Sequence, residues 1–246
     1  TLTLGTLSLG ESFTMPATAK LSALDEASRP LAGVDEATVE VRRHVDPSSG
    51  SSPTPTPTPT PAGNLPFTDV ESRHWFYQAV KFAYENKLMS GMTATGFAPD
   101  TPTNRGMIVA ILYRMEGSPA AGRADFADVP EDKYYTKPIA WATAKGIVSG
   151  YPNGTFEPES NITREQLAAI LYRYAGYKGY DTAARSGLAG FQDFADVSAY
   201  AEDALQWATG AGLMSGVTKM TLVPKGPATR AQVASILMRF AETVAK

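Results

Sequence analysis

The chain has no cysteine and only two histidines, His44 and His74, among its 246 residues. The first absence excludes disulfides, thiolate zinc sites, iron–sulfur clusters and cysteine nucleophiles. The second excludes a three-histidine metal site and most histidine-based catalysis. Neither a metal nor a cofactor is expected. No run approaches the ~20 apolar residues of a bilayer-spanning helix, so membrane insertion is not expected. Charge is nearly balanced, with 22 Lys and Arg against 25 Asp and Glu and a net charge of −3. That leaves no overall basic excess for nucleic acid. The N-terminus shows no charged start followed by a short apolar core, and its first residue is Thr1. It reads as a mature protein or a fragment of a longer one. Disulfide-free secreted proteins are ordinary in bacteria without an oxidising periplasm, so the composition permits that compartment.

What is present is strongly patterned. Pro53 to Pro61 alternates proline with threonine, flanked by the Ser/Gly-rich run from Ser48 to Ser52 and by Ala62 to Asn64. Every second residue lacks an N–H and has a fixed φ, which blocks helix and sheet. Residues 48–64 are expected to form a polyproline II linker, with the Pro/Thr run spanning roughly 28 Å at ~3.1 Å per residue. It suits a stalk between a displayed module and an anchor, with threonines open to O-glycosylation; an inert tether is the plainer alternative. Before it, residues 1–47 look β: Leu2, Leu4, Leu7 and Leu9 alternate with small polar residues, and Thr38 to Arg42 alternate again. Two or three strands bury little core alone, so this short β fragment is expected to be the C-terminal part of a larger β-rich domain.

Residues 65–246 repeat three times. Phe67-Thr-Asp69-Val70, Phe126-Ala-Asp128-Val129 and Phe194-Ala-Asp196-Val197 form one marker, and Ser90-Gly91, Ser149-Gly150 and Ser215-Gly216 a second. Arg105, Arg164 and Arg230 form a third. Each glycine lies 14 residues before its arginine, whereas the Asp-to-Gly intervals are 22, 22 and 20. One supersecondary unit used three times explains this register. Each unit reads helix–loop–helix. Val80, Ile139 and Leu205, with Ala83, Ala142 and Ala208, and then Leu88, Ile147 and Leu213, line one face of the first helix. The Ser-Gly pair is expected to stop that helix in a left-handed cap. The second helix starts at Asn104, Thr163 or Thr229, with capping-box spacing from Thr163 to Gln166 and Thr229 to Gln232. Its apolar positions, counted from the arginine, are +3, +6, +7 and +10, an amphipathic pattern.

The run Gly150-Tyr-Pro-Asn-Gly-Thr-Phe156-Glu-Pro158, followed by Ile162-Thr-Arg164-Glu-Gln166, resembles the S-layer homology repeat. The resemblance covers residues 65–246, with repeats at 65–117, 124–176 and 191–246. It implies a mainly α fold: three helix–loop–helix repeats in a pseudo-threefold arrangement, one helix of each in a central bundle, with grooves between lobes. It further implies binding of secondary cell-wall polysaccharide, typically a pyruvylated amino sugar. That would anchor an exported protein at the cell wall or S-layer of a Gram-positive-type bacterium.

The residues themselves point the same way. An arginine at the first helical position sits beside free N–H groups and the positive dipole end. Its planar fork matches a carboxylate, so Arg105, Arg164 and Arg230 are candidate anion ligands; a surface pair with a nearby Asp is the alternative. Arg164 belongs to the repeat that keeps the whole motif and is the leading candidate; folding should hardly depend on it. Gly91, Gly150 and Gly216 belong to the same loops. Trp75, Tyr134 and Tyr200 are open between sugar stacking and core, whereas Phe82, Trp141 and Trp207 are expected in the core. Asp69, Asp128 and Asp196 are candidates for sugar hydroxyls, or else helix caps or arginine partners. Repeat 1 lacks an acidic residue or Gln after its arginine, and repeat 3 has Val217-Thr-Lys-Met220 in its loop, so the clefts involving those loops are expected to be weaker. Catalysis is not expected, because Glu157 and Glu159 alternate on one loop and nothing sets two carboxylates across a cleft. A docking module for other surface-layer proteins is the alternative function.

Overall fold

The structure is a computed structural model that describes residues 65–246 and, before them, the backbone of two four-residue strands. Those strands, β1 (Thr18–Leu21) and β2 (Ala37–Glu40), pair antiparallel with Thr18 opposite Glu40. The Leu2 to Leu9 alternation and the Pro/Thr linker lie outside the described residues.

From residue 65 onward the chain is mainly helical. Helices α2 (Arg105–Met115), α4 (Arg164–Lys178) and α6 (Arg230–Thr243) each begin at the repeat arginine. Their N-caps, Asn104, Thr163 and Thr229, accept the N–H of the third helical residue. Where that residue is Gln166 or Gln232 its side chain returns the bond, completing a capping box. In α2 it is Met107, and only the forward bond forms. Helices α1 (Tyr77–Glu85), α3 (Thr136–Ala144) and α5 (Glu202–Gly210) are nine residues each. No helix among the described residues is long and apolar enough to cross a membrane.

These shorter helices do not stop at the Ser-Gly pair. The left-handed residue comes earlier, at Lys87, Gly146 and Gly212, with φ of 57°, 68° and 71°. Gly91, Gly150 and Gly216 are glycine for a different reason, close approach. A Cβ on Gly150 would lie 2.2 Å from the Phe126 ring and 2.6 Å from the Thr155 carbonyl oxygen. The Phe67 ring presses on Gly91 and the Phe191 ring on Gly216 in the same way.

Packing crosses the repeat boundaries. α2 packs on α3, α4 on α5, and α6 returns to α1. Each helix pair joins the second helix of one repeat to the first of the next, rather than the two helices of one repeat. The predicted apolar faces fill these interfaces: Val80, Ile139 and Leu205 are fully buried, as are Leu112 and Leu171. Trp141 and Trp207 are core, and Phe82 packs against it. The second helices also converge, since Tyr174 of α4 stacks at 5.7 Å from Phe240 of α6 and donates to Glu116 at the end of α2 (2.6 Å).

The three repeats meet in a closed ring of backbone hydrogen bonds two residues before each arginine. Thr103 N–H donates to Ala228, Ala228 N–H to Ile162, and Ile162 N–H to Thr103, each at 2.9 Å. All three residues are fully buried.

Candidate functional site

Each arginine is a buttress between repeats before it is anything else. Arg105, Arg164 and Arg230 are only 6%, 5% and 5% exposed, against the expectation of a side chain outside the core. Each Nε donates to a loop carbonyl of the next repeat: Phe156, Leu222 and Phe97 respectively, at 2.8–3.0 Å. Each Nη2 reaches the serine carbonyl of the Ser-Gly pair: Ser149 at 3.4 Å, Ser215 at 2.6 Å and Ser90 at 2.5 Å. Burial lowers the pKa of all three below the ordinary arginine value.

The helix starts are not open anion sites either. Arg105 N–H donates to Ser160 and Gly106 N–H to Pro158. Arg164 and Glu165 donate to Gly226 and Pro224, and Arg230 and Ala231 to Thr101 and Pro99. With the third N–H taken by the N-cap, the donors expected for a ligand close the ring instead.

The aspartates are loop staples. Both oxygens of Asp69 accept the N–H groups of Phe97 and Ala98, and those of Asp128 accept Phe156 and Glu157, at 2.7–2.8 Å. In repeat 3 the same bonds, to Leu222 and Val223, go to Asp193. Asp196, the sequence candidate, is exposed and lies in a 3-10 turn, Phe194–Asp196. The true third marker is therefore Phe191 with Asp193, and the odd interval of 20 was the signal of the misregister. The second donor of each staple, Ala98, Glu157 or Val223, has positive φ (55–58°). The paired bonds hold a conformation that costs a non-glycine residue about 1–2 kcal/mol. Burial pushes the Asp193 carboxyl up, but its backbone hydrogen bonds, with the Arg164 charge, outweigh it and leave its pKa lowered.

Grooves lie where one repeat's arginine meets the next repeat's loop. The first is a cavity of about 360 Å³ lined by Arg105, Ser149, Tyr151, Gln166, Arg173 and Tyr200, together with apolar groups. It draws on all three repeats. The Arg105 guanidinium lies over the rings of Tyr151 (4.9 Å) and Phe156 (4.6 Å). Gln166 donates to the Tyr151 hydroxyl at 3.1 Å, fixing that wall. The second, about 150 Å³, has the same plan around Arg230, with Met92, Met107, Arg114 and Tyr134 in the places of Tyr151, Gln166, Arg173 and Tyr200. Around Arg164 those two ring positions are held by Val217 and Leu222, and no ring covers the guanidinium among the described residues.

Trp75, Tyr134 and Tyr200 are 67%, 50% and 51% exposed, so all three stand outside the core. Tyr200 is held by Glu165, which is 3% exposed and also accepts from Ser198 and Lys225. Burial pushes the Glu165 carboxyl up; these bonds outweigh it and lower its pKa. Sequence reasoning missed a second arginine set, nine residues after the first: Arg114, Arg173 and Arg239. Their identical spacing in all three repeats was the available signal. Among the described residues no group of three or more His, Cys, Asp or Glu could hold a metal.

Fold and site define a helical repeat module, closed on itself by inter-repeat arginines, with grooves at the repeat boundaries. The chain belongs to the S-layer homology domain family, whose model matches residues 66–106, 125–168 and 190–234. It is 33% identical over 173 residues to an endoglucanase of Bacillus sp. strain KSM-635, a match covering 70% of this chain and 18% of that protein. It is 33% identical over 118 residues to a cellulosome-anchoring protein of Acetivibrio thermocellus (45% and 26%). A surface-layer 125 kDa protein of Lysinibacillus sphaericus is 26% identical over 170 residues (68% and 14%). The chain thus spans well under a third of the length of each of these relatives.

Proposed function

We propose that residues 65–246 anchor an exported protein to the bacterial cell wall by holding secondary cell-wall polysaccharide in the grooves between repeats. The ligand is a pyruvylated amino sugar, and the setting is the surface of a Gram-positive-type bacterium. A pseudo-threefold arrangement accounts for the hydrogen-bond ring at Thr103, Ile162 and Ala228. The observation that carries the reading is the larger groove. It combines a half-exposed aromatic face at Tyr200, an amide at Gln166 and guanidinium groups at Arg105 and Arg173. Aromatic faces stack on sugar rings, and guanidinium matches a ketal carboxylate. The groove lining contains neither Asp nor Glu, which favours binding over two-carboxylate hydrolysis. The anchoring and surface-layer proteins among the relatives support the same reading.

The test is sedimentation of the whole chain with isolated sacculi. Binding that disappears when the sacculi are stripped of polysaccharide supports the proposal. Binding that survives stripping overturns it in favour of a protein or peptidoglycan partner.

A further inference from the structure

The three repeats offer an internal comparison that separates scaffold from recognition. In every repeat a second arginine lies nine residues after the first, one turn or more inside α2, α4 and α6. Two of the three are occupied. Arg114 Nη1 donates to the Leu88 carbonyl at 3.1 Å, and Arg239 Nη1 to the Leu213 carbonyl at 3.3 Å. Those carbonyls belong to the chain leaving α1 and α5, so both side chains tie one repeat's two helices together. Arg173, their counterpart, is exposed, lines the larger groove, and has no hydrogen-bond or ion-pair partner among the described residues.

The charge around these arginines differs too. Arg114 shares one surface depression with Glu85 and Lys87 and another with Glu131, Asp132, Lys133 and Lys137. The equivalent positions around Arg173 are Ala144, Gly146, Val197, Ser198, Ala199 and Asp203, of which only Asp203 is charged. Glu165 reaches this groove through the Tyr200 hydroxyl. It is buried, and Lys225 already pairs with it at 2.7 Å. The groove floor is also cationic. Arg105 spends Nε and Nη2 on carbonyls, and its Nη1 donates to no acceptor among the described residues.

We propose that Arg173 is the specificity-determining residue of this module: it reads the carboxylate of an acidic sugar in the groove built from Arg105, Tyr151, Gln166 and Tyr200, and its counterparts Arg114 and Arg239 do not. This rests on the polysaccharide reading above. The selectivity follows from availability. An anion arriving at Arg114 or Arg239 must displace an existing bond to a buried helix-end carbonyl. At Arg173 it displaces only water, and it finds a second guanidinium behind it.

The experiment compares the whole wild-type chain with Arg173→Gln, Arg173→Lys, Arg114→Gln and Arg239→Gln. Affinity is measured for sacculi carrying their polysaccharide, and for the same sacculi after carbodiimide activation and reduction of the carboxyl groups to alcohols. Circular dichroism confirms equal helicity. Arg173→Gln should lose about ten- to a hundredfold in affinity, the worth of one charge-assisted contact. Arg173→Lys should recover part of it, Arg239→Gln should bind like wild type, and Arg114→Gln, at the smaller groove, should lose clearly less than Arg173→Gln. On carboxyl-reduced sacculi wild type should fall to the level of Arg173→Gln, and the two should no longer differ. Wild-type binding by Arg173→Gln, or an equal loss in all three Gln variants, overturns the assignment while leaving the polysaccharide reading intact. Failure of wild type to bind unmodified sacculi overturns both.

Discussion

The boundary held by Arg105 and the boundary held by Arg164 share one backbone plan and differ in what surrounds it. Both arginines start a helix, both are buried, and both donate to two carbonyls of the following repeat. Around Arg105 the next loop supplies Tyr151 and Phe156 as rings beside the guanidinium and leaves a groove of about 360 Å³ with mixed polar and apolar lining. Around Arg164 the next loop supplies Val217 and Leu222. The conserved-looking residue of the repeat is thus the one that builds the ring, and the residues that vary between repeats set the chemistry of each groove. It follows that the intact motif of repeat 2 is split. Its loop faces the arginine of repeat 1, and its own arginine serves the loop of repeat 3.

The largest expected effect tests that division directly. Arg105→Ala and Arg164→Ala should each destabilise the fold by about 3 kcal/mol, because two loop carbonyls lose a charged donor. Urea unfolding should show similar losses for both. Binding by the fraction that stays folded should drop for Arg105→Ala and persist for Arg164→Ala. A fully stable Arg164→Ala would break the buttress account and return that side chain to the surface.

Acid should sharpen the comparison next. Glu165 follows the arginine only in repeat 2; Gly106 and Ala231 stand at the equivalent positions. Its folded pKa lies below the ordinary carboxylate value, with the bonds from Lys225, Ser198 and Tyr200 outweighing the effect of burial. The stability it contributes is complete above the unfolded carboxylate pKa and is lost as pH falls through the lowered folded value. Thermal unfolding followed from neutral pH downward should show that loss, and Glu165→Gln should flatten it. An unchanged acid slope in the variant would assign the sensitivity elsewhere.

The smallest effect concerns the ring itself. Thr103 is fully buried and its hydroxyl has no partner, whereas Ile162 and Ala228 fill the equivalent positions without a polar side chain. Thr103→Val should raise stability by about 1 kcal/mol by removing an unpaired buried group. Destabilisation in denaturant titration would mean that this hydroxyl is satisfied after all.

Much of the fold was legible because it is local. The 3.6-residue apolar period located all six helices among the described residues, and the Thr163–Gln166 and Thr229–Gln232 spacing located two starts to the residue. The repeat register held wherever the chain kept its length. It slipped at Asp196, because the sequence there offers a second Phe-x-Asp three residues after the one that staples the loop. The site was less legible. The same Arg at a helix start reads as an open anion site until its partners are known, and those partners lie 44 to 140 residues away. The glycines were identified as special and the cause was misread, since a left-handed φ is a local property and the approach of a Phe ring is not.

By itself the sequence determined three copies of one helix–loop–helix unit, their caps, their buried faces and their family. These rest on periodicity and short-range hydrogen bonding, which a chain carries wherever it folds. Only the tertiary structure decided that each second helix pairs with the next repeat's first, that Thr103, Ile162 and Ala228 close the ring, and that Arg105 rather than Arg164 faces the repeat 2 loop. The physical reason is closure: a three-repeat ring satisfies each helix start with the carbonyls of a neighbour. Which neighbour is a property of the circuit and not of any one segment.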